Sequence, residues 1–135
     1  MNKESKFKNY FSIGLRIAAA LIMFQTLYFK FTGAEESVYI FTTIGMEPWG
    51  RYLVGITELA ASILLVTRWY GIGALMGLGA ISGAIFFHLT KLGIEVQGDG
   101  GYLFGLAVFV FVACALVILM NFNSVKQTLL SIIKK

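Results

Sequence analysis

Four long apolar runs leave this chain little choice of solvent. Phe11 to Phe29 carries one charged residue, Arg16; Gly71 to Leu89 and Tyr102 to Met120 carry none; Trp49 to Val66 carries Arg51 and Glu58. Three of the runs are 19 residues long, close to the roughly 20 that cross a hydrocarbon core at about 1.5 Å per residue. The chain as a whole is 58% hydrophobic and 13% charged, whereas soluble domains run near 45 to 50% and about 25%. The expectation is an all-α fold: a single membrane domain over residues 1–135, built as a four-transmembrane-helix bundle with spans at about 11–30, 49–67, 71–90 and 102–121.

Lys3, Lys6 and Lys8 ahead of the first run could imitate a signal peptide. The run is longer than the roughly 7 to 15 residues of such a core and ends in Phe29-Lys30-Phe31 rather than at a small-x-small site, so a retained helix is expected. Four spans leave no room for a soluble catalytic domain. Chemistry, if any, is then intramembrane or supplied by a partner.

Alternating the spans sorts the basic residues. Lys3, Lys6, Lys8, Arg16, Arg68, Lys126, Lys134 and Lys135 fall on one side, and Lys30, Arg51 and Lys91 on the other. The positive-inside tendency places both termini in the cytoplasm, in a multi-pass protein of the inner (cytoplasmic) membrane. The loop acids Glu35, Glu36, Glu47, Glu95 and Asp99 then face outward. The net charge of +4 is therefore a topology signal rather than a sign of nucleic-acid binding, and the cytoplasmic lysines meet anionic headgroups.

Glu58 is the residue that most needs a reason. A carboxylate at membrane depth costs roughly 2.5 to 3.5 kcal/mol on insertion scales and persists with a partner, a water-filled cavity or a task. At about 100° per residue, Arg51, Gly55, Glu58 and Ser62 share one sector of their helix, and Gly73, Gly77, Ala84 and His88 share one of theirs. Glu58 and His88 are thus expected to face the bundle. Counted from the outer surface, Glu58 lies roughly 10 Å down and Gln25 about 8 Å down, with Lys30 and His88 near the outer helix ends. A polar pocket in the outer half is expected, with Glu58 at its floor and Gln25, Lys30, Arg51 and His88 as ligand-binding candidates. The plainer reading makes Glu58 a lock between helices, Lys30 and Arg51 snorkelling cations, and Gln25 a cross-helix bond.

Other chemistries lack their parts. Cys114 is the one cysteine, in the most apolar run, so no paired-thiol relay exists within the chain. One histidine does not supply the usual zinc set or two axial haem ligands. No intrinsic metal or haem is expected, nor a self-sufficient enzyme. Asp99, in Gly98-Asp99-Gly100-Gly101, is placed to cap the last span. The glycines of the third span suit a contact within the chain or with a second copy, and a homo-oligomer could form there.

The stretch GMEPWGRYLVGITELAASILLV, with Gly45, Pro48, Gly55 and Glu58, resembles the DoxX family signature. Arg16 and Lys30 bracket the first span much as in that family, and the resemblance runs from about Arg16 to Met120. It implies a four-helix inner-membrane protein associated with redox systems, including membrane subunits of quinone-linked sulfur oxidation, and also relatives with assembly-helper roles. Gln25 departs from the pattern, standing near where relatives often carry a glycine or histidine. The function expected first is a membrane subunit or binding module of a redox-linked assembly, taking a small lipophile such as a quinone. An assembly helper without activity, or a small neutral-solute transporter, are the alternatives.

Overall fold

Asn2 opens the first helix: its Oδ1 accepts the Ser5 N–H at 2.8 Å, satisfying one of the donors that a helix start leaves free. The computed structural model describes residues 2–135. Helix α1 runs Lys3–Thr32 and stops at Gly33, whose left-handed φ of 67° lets its N–H turn back to the Phe29 carbonyl. It starts eight residues before the apolar run, because Lys3 to Tyr10 is polar but contains no helix breaker. Hydrophobicity marks where a helix can enter lipid, not where it begins.

Helices α2 (Glu35–Thr43), α3 (Trp49–Leu65), α4 (Tyr70–Phe87), α5 (Tyr102–Met120) and α6 (Phe122–Ile133) follow, and α4 continues as a π-helical turn over His88–Leu92. The described residues form no strand. Helices α2 and α6 fall in segments that the hydropathy pattern leaves as an outer loop and a tail. At nine and twelve residues, they are too short and mixed in polarity to register as spans. Three helices are long and apolar enough to cross a membrane: α1, α4 with its π turn, and α5. Helix α3 has 17 residues and carries Arg51 and Glu58.

Helices α1, α3, α4 and α5 close into a ring, α1 packing on α3 and α5, and α4 on the same two. Helix α2 rests on α1, α3 and the π turn at one end; α6 crosses beneath α4 and α5 at the other. The α6 end carries eight basic residues and one acid, Glu4, while the α2 end and the ring interior carry three basic residues and six acids. The molecule thus has a basic end and an acidic end.

Toward the basic end the ring is filled. Leu65, Val110, Val117 and Cys114 are fully buried, among Ala19, Ala61, Ala74 and Ala113. Small residues set the helix spacing, as they do wherever association relies on close van der Waals contact. A Cβ added at Gly73 would lie 2.8 Å from Leu65 N and 2.9 Å from Ala61 O; at Gly77 it would meet Cys114 Sγ at 3.2 Å; at Gly71 it would meet Val125 at 2.9 Å. These three glycines of α4 are thus occupied by contacts within the chain. Gly79 and Gly83, nearer the acidic end, have nothing within 4 Å of an added Cβ.

Gly73→Ala is therefore expected to destabilise the fold by about 1 to 3 kcal/mol, the usual range for overpacking against a neighbour that cannot move. Gly79→Ala should be neutral or slightly stabilising, because helix propensity favours alanine by about 1 kcal/mol. Unfolding midpoints of the two variants in one detergent check the pair, and equal midpoints would contradict the packing described.

Candidate functional site

The ring that is packed at its basic end opens toward the acidic end into a cavity of about 630 Å³, within the range of small-molecule sites. Its walls come from five helices: Ile22, Met23 and Phe29 of α1, Ile40 and Phe41 of α2, Val54 of α3, Ile81, Ala84 and Phe87 of α4, and Leu103, Leu106 and Val110 of α5. Gln25, Thr26, Lys30, Glu36, Ser37, Glu58, His88 and Asp99 interrupt this apolar surface.

Glu58 is 5% exposed and is held by Lys30, whose Nζ lies 2.9 Å from Glu58 Oε2. The ion pair joins α1 to α3. Thr26, one turn before Lys30, completes it: Thr26 Oγ1 accepts from Lys30 Nζ at 2.9 Å and lies 3.2 Å from Glu58 Oε2 and 2.8 Å from the Met23 carbonyl. A hydroxyl has one proton, so Thr26 donates to the carboxylate or to the carbonyl, but not to both. Ser62 returns its hydroxyl to the Glu58 carbonyl at 2.7 Å and makes no contact with the carboxylate.

Two side chains that line the cavity keep a polar atom free of any protein hydrogen bond. Glu58 Oε1 takes part in neither the ion pair nor the Thr26 contact. His88 is 6% exposed, packs edge-on against Phe104 at 5.5 Å and places Nδ1 2.9 Å from the Gly93 carbonyl. A carbonyl only accepts, so Nδ1 carries a proton, and Nε2 has no protein partner. The π turn enlarges the backbone loop at this point and sets His88 in its first position, a helical irregularity frequent at functional sites.

The remaining candidates separate. Gln25 lines the cavity but is exposed, placing it at the rim. Arg51 is not among the lining residues. Its Nε donates to both Glu47 carboxylate oxygens at 3.0 Å, its Nη2 lies 2.9 Å from Glu47 Oε1, and its Nη1 donates to the Lys30 carbonyl. Arg51 thereby holds the start of α3 against the C-terminus of α1, where a cation also suits the helix dipole. Arg16, at the basic end, lies with its guanidinium 4.2 Å from the Tyr70 ring centroid, a cation–π contact.

Thr26 escapes sequence reading because threonine inside an apolar helix is ordinary; its signal is the spacing of four to Lys30, which puts both on one face. Glu36 and Ser37 escape it because α2 does. Asp99 does cap α5. Its Oδ1 accepts the N–H groups of Val96 (3.0 Å) and Gly101 (2.8 Å), and its Oδ2 that of Leu103 (3.1 Å). Burial pushes this carboxyl upward, but the three backbone donors outweigh it and hold it below its ordinary value.

No family model matches the chain, and no curated protein or solved structure matches it either.

Two outcomes follow. Glu58→Gln strips Lys30 of its counter-ion and should cost on the order of 3 kcal/mol, the low end for breaking a buried pair, because the Lys30 side chain keeps 14% exposure and can bend to water. Combining Lys30→Met with Glu58→Leu should cost less than the sum of those two changes made singly, as measured by unfolding in a fixed detergent; additive losses would show that the pair is not coupled. For Asp99 the folded-state value is depressed, so its contribution is fully present above the unfolded value of 3.8 and is lost as pH falls through the folded one. The thermal-midpoint difference between wild type and Asp99→Asn should narrow below about pH 3.8 and stay level above pH 5.

Proposed function

We propose that this chain is a four-span inner-membrane protein with both termini in the cytoplasm, similar to the DoxX family, and that its outer-half cavity binds a small lipophile with a polar head. The observation that carries this reading is the pairing of an apolar chamber of about 630 Å³ with unsatisfied polar groups at its floor and wall. Lys30 spends two of its three ammonium donors on Glu58 and Thr26, leaving one for a ligand carbonyl or hydroxyl. Glu58 Oε1 and His88 Nε2 can accept from a ligand hydroxyl. A quinone-like head, with an oxygen at each end of an apolar ring and interconverting between acceptor and donor forms, suits such a lining. The protein then serves as a binding module or subunit of a redox-linked membrane assembly, with electrons supplied by a partner and Glu58 placed to take or return a proton.

Helix α3, with 17 residues, reaches roughly 25 Å, enough for a span in a slightly thinned or locally wet bilayer. Its two charges are both paired, which supports membrane burial for it as well.

The second reading, an assembly helper, is favoured by the same ion pair, since Lys30–Glu58 is a cross-helix lock whether or not anything binds beside it. The two readings part in one experiment. Protein purified in mild detergent is titrated with decylubiquinone or a long-chain alcohol, and its thermal midpoint is followed. The binding module predicts a saturable rise that Gly83→Leu weakens: Gly83 lines the cavity and an added Cβ meets nothing within 4 Å, so leucine projects into the space a ligand would use. No rise with either probe, together with a co-purifying membrane protein lost in Glu58→Gln, favours the helper.

A further inference from the structure

Helix α6 leaves an apolar stripe uncovered. At about 100° per residue, Phe122, Lys126, Leu130 and Ile133 fall within a sector of about 80°. Phe122, Leu130 and Ile133 are 57%, 41% and 77% exposed. Val125, on the neighbouring flank, is buried in the notch left by Gly71 of α4, so α6 is fastened across the base of the ring rather than extended away from it. Gln127 and Ser131 lie on the opposite, polar face. Asn121 makes the corner: its Nδ2 donates to the Val117 carbonyl at 2.8 Å and to Ser12 Oγ at 3.0 Å, tying the α5–α6 break to α1. The stripe is therefore held in a fixed direction.

Lys126 stands inside this stripe, and Lys134 and Lys135 follow it. Lysine in an apolar sector is suited to a boundary at which its stem lies along hydrocarbon and its ammonium reaches a headgroup. A second copy would bring Lys126 against Lys126, whereas an anionic lipid surface supplies the opposite charge. Lys3, Lys6, Lys8 and Arg68 lie at the same end, with Glu4 as its lone acid.

We propose that α6 is an interfacial helix that docks on anionic phospholipid, its Phe122–Leu130–Ile133 stripe in the acyl boundary and its lysines on the headgroup phosphates. The site is separate from the cavity and does not depend on what the cavity binds. Such helices combine buried apolar area with attraction to anionic lipid, and each lysine near the surface strengthens the attraction by roughly fivefold.

The test uses the full chain with Cys114→Ala, since Cys114 is the one native cysteine and is buried. Ile133→Cys and Gln127→Cys variants, both at exposed positions, are labelled with a polarity-sensitive dye and reconstituted, one copy per nanodisc, in phosphatidylcholine with or without phosphatidylglycerol. The expected result is a blue shift at position 133 and not at 127, one that grows with phosphatidylglycerol, weakens at high salt and is largely lost when Lys126, Lys134 and Lys135 are changed together to glutamine. Equal shifts on both faces, or a shift at 133 indifferent to lipid charge, overturns the proposal. So does efficient Ile133→Cys disulfide cross-linking between copies in vesicles, which would assign the stripe to a second protomer.

Discussion

The Lys30–Glu58 ion pair is the contact on which the acidic half of this molecule depends. It joins α1 to α3 at 2.9 Å, where either charge left without the other would be costly to bury. Pairing does not make the arrangement strongly stabilising, because desolvating two charges offsets most of their attraction. What the pair contributes is register: Glu58 has its counter-ion when α1 and α3 sit at one relative height. Thr26 shares both charges and makes other heights less favourable. Arg51, held by Glu47, then ties the start of α3 to the end of α1 by donating to the Lys30 carbonyl.

Everything toward the basic end follows a different physics. There, alanines and glycines bring helices together until backbone meets backbone, as at Gly73, and the ring interior is filled by buried side chains. Toward the acidic end the glycines of α4 face open volume, α2 covers the ring from above, and the interior is a cavity. One bundle is thus closed at one end and hollow at the other, and both its ion pairs lie on the hollow side. A solute path through the ring would have to pass Leu65, Val110 and Val117, all fully buried.

Much of this could be read from the residues. Periodicity in α3 and α4 gives the inward direction of Glu58 and His88, because about 100° per residue holds along an α-helix and His88 stands at the first position of the π turn. The glycines of α4 mark its packing face for the same reason, and Asp99 is legible as a cap. Other parts are hidden for physical reasons. Helices α2 and α6 are amphipathic and short, so their hydropathy averages to that of a loop. The helical start of α1 is polar. Thr26 matters through a contact 32 residues away in sequence, which no local pattern encodes. Arg51 shares a helical sector with Glu58, yet lies two turns nearer the helix end. There Glu47 and the Lys30 carbonyl claim its guanidinium before it can reach the cavity.

The proposed function requires an open chamber beside Glu58 that a ligand can enter. Cryo-electron microscopy of the protein taken gently from its native membrane tests this most directly. The result expected is elongated, non-protein density in contact with Lys30 Nζ and Glu58 Oε1, with the Lys30–Glu58 pair intact. A chamber collapsed by inward movement of α2 and Phe29, with Lys30 swung outward and Glu58 bonded to protein alone, would contradict it.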